Sequence, residues 1–77
     1  MTKQEFLKDF GENLEYELNS SRTSRKELAD VLGVSTMTIG RYIRGEQNPS
    51  VITLKLIAQT LCCEIKDLID IYEEITD

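Results

Sequence analysis

Apolar residues recur along this chain at steps of three and four, the spacing that lines one face of an α-helix. Leu7, Phe10, Leu14 and Leu18 form a first stripe, and Leu28, Ala29 and Leu32 a second. Ile39, Tyr42 and Ile43 form a third, and Val51, Leu54, Ile57, Ala58 and Leu61 a fourth. A fifth runs through Ile65, Leu68, Ile69, Tyr72 and Ile75. The alternation that marks strands is nearly absent. Capping residues stand before these stripes. Thr2 with Glu5, and Ser24 with Glu27, have the spacing of a capping box, in which hydroxyl and carboxylate each satisfy an orphan backbone amide. Ser35 and Ser50 are placed to cap the third and fourth helices, and Gly33 and Gly45 to stop the second and third. Gly11 interrupts the first stripe at a propensity cost of about 1 kcal/mol relative to Ala, so a kink or late start is expected there. The pattern predicts an all-α chain of five short helices, the last over roughly residues 65–75.

Composition narrows what such a chain does. With 77 residues, one Pro and four Gly, the sequence reads as a single domain over 1–77. A core this small leaves little room for a deep cleft. No apolar run has the length of a bilayer span, and the opening MTKQEFLKDF lacks a signal peptide's apolar stretch, so a soluble cytoplasmic protein is expected. The chain has no His, which removes the commonest general base and metal ligand. No nucleophile–base pair, phosphate-cradling loop or metal cluster is apparent. An enzyme is therefore not expected, nor a catalytic residue, cofactor, metal or small-molecule substrate. Cys62 and Cys63 are adjacent and cannot staple distant segments. Two small buried hydrophobes in a reducing compartment is the expectation for them.

Charge is distributed unevenly. The net charge of −5 argues at first against a nucleic-acid partner. Yet residues 1–20 and 51–77 carry the acidic excess, while 21–50 is net positive and holds every Arg of the chain: Arg22, Arg25, Arg41 and Arg44. The planar guanidinium suits phosphates and guanine edges. The same window reads as two helices joined by a tight turn. Ala29 is small where the second must cross the first, and Gly33 stands at the turn. Leu28, Leu32, Val34, Ile39 and Tyr42 are placed to face the shared core.

Through the segments SRKELADVLGVS, RYIRGEQNPS and TLKLIAQTL, from about Leu14 to Leu68, the chain resembles the Cro and phage-repressor family of helix-turn-helix DNA-binding domains. The resemblance implies a five-helix repressor-like bundle with its helix-turn-helix over 25–44. Helix 2 would cover 25–32 and lie near the DNA backbone, and helix 3 would cover 36–44 and enter the major groove. The chain departs from the family in places. Arg25 replaces the usual Gln at the start of helix 2. Leu18 and Ile43 replace an Arg–Glu pair and are expected to pack together, as matched apolar residues can replace a buried ion pair. Cys62 stands where a Gly usually closes helix 4, which puts that cap in doubt, and Thr23 replaces an apolar residue.

Carried onto this chain, the resemblance implies a sequence-specific double-stranded DNA-binding regulator, a repressor or Cro-like switch. Thr36, Met37, Gly40 and Arg41 are expected at base edges, Arg41 on guanine and Met37 on a thymine methyl. Arg25, Thr38, Arg44 and Asn48 are expected at phosphates, with Arg22 a further candidate. Small domains of this kind read palindromic operators as two-fold dimers, so a homodimer is expected, with Ile69, Ile71, Tyr72 and Ile75 of the last helix as its surface. Packing of that helix against Phe6, Leu7 and Phe10 is the competing expectation. An antitoxin or other protein-interaction module on the same fold is the alternative function, with residues 70–77 as the segment available for a partner.

Overall fold

The capping residues act where the sequence places them. In a computed structural model, which describes residues 1–72 and 74–76, Thr2 Oγ1 accepts from the Glu5 amide while Glu5 Oε1 accepts from the Thr2 amide. Ser24 and Glu27 make the same reciprocal pair. Ser35 and Ser50 accept from the amides of Thr38 and Thr53. These caps open α1 (Lys3–Ser21), α2 (Arg25–Leu32), α3 (Thr36–Ile43) and α4 (Val51–Thr60), and a short α5 (Ile65–Leu68) follows. Among the described residues there is no strand. No described helix is long and apolar enough to cross a membrane.

Phe10 and Leu14 of α1, Leu28 of α2, Ile39 of α3, Ile57 of α4 and Leu68 of α5 are fully buried. Every helix thus drives at least one large side chain into a common centre. Each such burial is worth about 1.5–3 kcal/mol. Phe10 meets Tyr42 edge to face, with ring centroids 6.1 Å apart and planes at 78°, a favoured aromatic geometry. Helix α1 crosses α3, and α2 packs on both α3 and α4. Val51 does not join the fourth stripe's buried face: it is 77% exposed at the first turn of α4.

Helix α1 runs through Gly11 without a break. Gly11 is buried because the end of α3 lies directly on it: a Cβ there would meet the carbonyl oxygens of Tyr42 and Ile43. Close approach of two backbones, not a kink, is what this glycine permits. Leu18 and Ile43 both belong to the core, the first buried and the second packed against the cluster.

The last helix is shorter than its periodicity predicts. It ends at Leu68, and Ile69 is extended at φ −135°, ψ 149°. Two hydrogen bonds account for the stop. Asn13 Nδ2 donates to the Leu68 carbonyl at 3.0 Å, and Asp70 Oδ1 accepts from the Tyr72 amide at 2.9 Å, a local turn that competes with helix. The β-branched Ile69 and Ile71 gain little from a helix that tertiary contacts do not hold. Of the four expected dimer residues, Ile69 packs half-buried on the core, while Ile71, Tyr72 and Ile75 are exposed and stand outside any helix. Beyond them the Thr76 amide donates to the Met1 carbonyl at 2.8 Å, returning the tail to the start of α1.

The cysteines also differ from expectation. Cys62 is exposed and only Cys63 is partly buried. The cap after α4 survives the missing glycine, because Cys62 itself takes the left-handed conformation at φ 55°. Its neighbour's amide, on Cys63, then donates to the Ala58 carbonyl at 2.9 Å. Burial, with help from the Glu17 carboxylate, pushes the Cys63 thiol up to about 11.

Candidate nucleic-acid interface

The presentation of α3 begins with how α2 stops. Gly33 adopts φ 69°, and a Cβ there would touch nothing, so its glycine is required by backbone conformation alone. Its amide donates to Asp30, and the Val34 amide to the Ala29 carbonyl at 3.0 Å, which closes a Schellman-type cap. The chain then reverses in two residues into the Ser35 cap. Val34, expected in the core, is 38% exposed instead; at the cap its amide is used and its side chain points outward. Ala29 is buried at the crossing.

Ile39 and Tyr42 anchor the inner side of α3 in the core. Thr36, Met37 and Arg41 lie on the outer side and are exposed. Arg41 Nη2 lies 3.5 Å from Met37 Sδ, one helical turn earlier, so these two side chains form one continuous polar-tipped ridge. Thr38 is half-buried and turned toward Ser35, with their hydroxyls 3.3 Å apart. Gly40, expected among the base-facing positions, is buried. The arginine side chains beside it cover it: a Cβ on Gly40 would lie 3.1 Å from Arg44 Nη1 and 3.9 Å from Arg25 Nη1.

Each of those arginines is held by a carboxylate. Arg25 Nη2 pairs with Glu15 Oε2 of α1 at 3.2 Å. Arg44 pairs with Glu46, Nε to Oε2 at 2.9 Å and Nη2 to Oε1 at 3.4 Å. The Arg44 hydrogen bond holds the Glu46 carboxyl below the usual carboxylate range. These side chains are about half exposed, so solvent screens both pairs and they hold the arginines only weakly. Lys26 pairs with Asp30 along α2 at 3.3 Å. Arg22 is the left-handed cap of α1 at φ 57°, with an exposed side chain. Asn48 is exposed in the loop between α3 and α4.

The structure thus brings Arg25, Gly40 and Arg44 into one cluster and Met37 with Arg41 into another. Glu15 and Glu46 are members of the first cluster that sequence reasoning missed. Glu15 lies on a different helix from its partner. Glu46 reaches back across Gly45, a spacing outside the helical pairing rule.

The family model HTH_3, described as helix-turn-helix, matches residues 14–68. The restriction-modification controller protein C.AhdI from Aeromonas hydrophila is 27% identical, with a TM-score of 0.73 over 80% of this chain and 94% of its own. The SOS-response transcriptional repressor LexA from Eubacterium rectale is 26% identical, with a TM-score of 0.78 over 100% of this chain and 82% of its own. FeII HppE, solved in complex with substrate, is 24% identical with a TM-score of 0.78, and the match spans 41% of that chain. This last likeness concerns the fold alone. No curated protein sequence matches the chain.

Proposed function

Because the chain belongs to the HTH_3 helix-turn-helix family, we propose that it acts as a sequence-specific transcription regulator that binds double-stranded DNA through α3. The observation that carries this reading is the outer side of α3, where Thr36, Met37 and Arg41 project from a helix anchored by Ile39 and Tyr42. Arg41 reads a guanine through its two-donor edge, and Met37 covers a thymine methyl. Arg25, Arg44, Thr38 and Asn48 meet phosphates and set the register. The acidic surface elsewhere, within a net charge of −5, keeps sequence-independent affinity low.

The protein works as a homodimer on a palindromic operator, in the cytoplasm, and without enzymatic activity. One small module covers too little DNA for a long site, and two copies place their α3 helices about one helical turn apart. Ile71, Tyr72 and Ile75 remain the proposed dimer contacts; Tyr72 is 89% exposed. Sedimentation of Tyr72→Glu beside the wild type tests this, a monomer being expected from the variant.

Selection of binders from random duplex DNA at two salt concentrations tests the function itself. A palindrome with half-sites about one turn apart is expected. Arg41→Ala and Met37→Ala should then lower affinity for that duplex by about 5- to 150-fold, the range of one good base contact, and barely alter binding to random DNA. No enrichment over the starting pool would reject the reading.

A further inference from the structure

Two guanidinium groups repel, yet Arg25 of α2 and Arg44 at the end of α3 bring their Nη1 ends to within 4 Å of one point above Gly40. The carboxylates lie on the other ends. Glu15 takes Nη2 of Arg25, and Glu46 takes the Nε–Nη2 edge of Arg44. Among the described residues neither Nη1 makes a hydrogen bond. Both arginines therefore present their unused donors to the same place, held there from behind. Gly40 makes room for this. A side chain at position 40 would occupy the space where the Arg44 fork lies, with its Cβ already 3.1 Å from Nη1.

The geometry points to a single DNA backbone phosphate held jointly by Arg25 and Arg44 above Gly40, so that Gly40 acts as the seat of a two-arginine clamp and not as a base reader. The inference rests on the DNA-binding reading above. A phosphate diester presents two unbridged oxygens that carry the charge, and each accepts from one guanidinium. The clamp also joins the beginning of α2 to the end of α3.

Shared and separate phosphates differ in salt dependence. Each phosphate neutralised contributes about 0.9 to the slope of log affinity against log salt. With Arg25→Gln, Arg44→Gln and the double variant measured on the selected duplex, a shared phosphate makes the double variant lose about 0.9 in slope. It also makes the two affinity losses sub-additive. A double loss of about 1.8 with additive affinities overturns the clamp while leaving DNA binding intact. Gly40→Ala is the third arm. Ala is the better helix former, and position 40 has ordinary helical backbone, so its melting temperature should hold or rise. Its affinity should fall by the same factor on selected and random duplexes. A loss confined to the selected duplex would return Gly40 to base reading and overturn the proposal. Replacing chloride by inorganic phosphate at matched ionic strength separates the two sources of this ligand. Wild-type affinity for duplex should stay within about twofold, given that counterion release follows ionic strength. A tenfold or greater loss that the double variant abolishes would reassign the site to free phosphate. Wild-type protein that binds no duplex at all would reject the DNA reading, and the clamp with it.

Discussion

Replacing Gly11 by Ala sets helix propensity directly against packing. By propensity alone the change should stabilise α1, because Ala is about 1 kcal/mol better than Gly inside a helix. In this fold the new methyl carbon would lie 2.7 Å from the Tyr42 carbonyl oxygen and equally close to the Ile43 carbonyl carbon, and would overlap the Ile43 oxygen outright. Relaxed carbon–oxygen contacts are about 3.3 Å or longer, so the end of α3 must retreat by about 1 Å. The obstructing atoms are backbone and cannot rotate away. The upper part of the overpacking range, about 3 kcal/mol, therefore applies. Net of the propensity gain, Gly11→Ala should lose about 2 kcal/mol. A domain of this size loses about 4–8 °C of Tm per kcal/mol, which makes the expected drop about 8–16 °C by thermal circular dichroism. Affinity for DNA should fall too, because the displaced segment carries Arg44. A Tm that rises by several degrees would refute the close approach of α1 and α3, and with it the placement of the recognition helix.

Three other outcomes follow from local geometry. Cys62 holds a left-handed conformation at φ 55°, which costs a non-glycine residue about 1–2 kcal/mol; glycine regains part of that as unfolded-state entropy. Cys62→Gly should therefore raise Tm by about 2–6 °C, and an unchanged or lower Tm would contradict the cap. Cys63 is partly buried with its thiol pushed up to about 11. Iodoacetamide at pH 8 should modify the exposed Cys62 well before it, as peptide mapping would reveal, and the reverse order would be inconsistent with the fold. Toward acid, Glu5 and Glu46 sit below their ordinary value of 4.5 through hydrogen bonds from Thr2 and Arg44. The folded state then binds fewer protons than the unfolded one. Their contribution is complete above that value and is lost as pH falls through the lowered values. Tm should drop between pH 5 and 3, less so in Glu5→Gln with Glu46→Gln. A double variant with the same acid profile as the wild type would remove these groups from the explanation.

Much of the architecture was legible because its signals are local. A hydroxyl three residues before a carboxylate acts within one turn, so the Thr2–Glu5 and Ser24–Glu27 boxes form as read. Gly33 likewise turns the chain by its own φ. What the sequence did not disclose depends on partners distant along the chain. The stripe through Ile69, Tyr72 and Ile75 has helical spacing, yet Asn13 takes the Leu68 carbonyl from another helix and α5 ends there. Gly11 looked like a weak point in α1 and is instead the place where α3 sits. Val34 carried an apolar label but lies in a cap that turns its side chain out.

The candidate site divides along the same line. Exposure of Thr36, Met37 and Arg41 follows from helical phase once Ile39 and Tyr42 are taken as inward. Gly40 does not follow from phase, because two long side chains, one from each helix of the motif, fold over it. The carboxylates that hold those side chains are equally invisible to a pattern that counts only positive charge.

The most direct measurement is amide chemical-shift mapping of the wild-type protein during titration with the selected duplex at moderate salt. The largest shifts are expected in residues 36–44 and at Arg25, with α4 little changed beyond its first turn. Saturation of the duplex with those amides unmoved, and the shifts gathered instead on α4 or the tail, would contradict it.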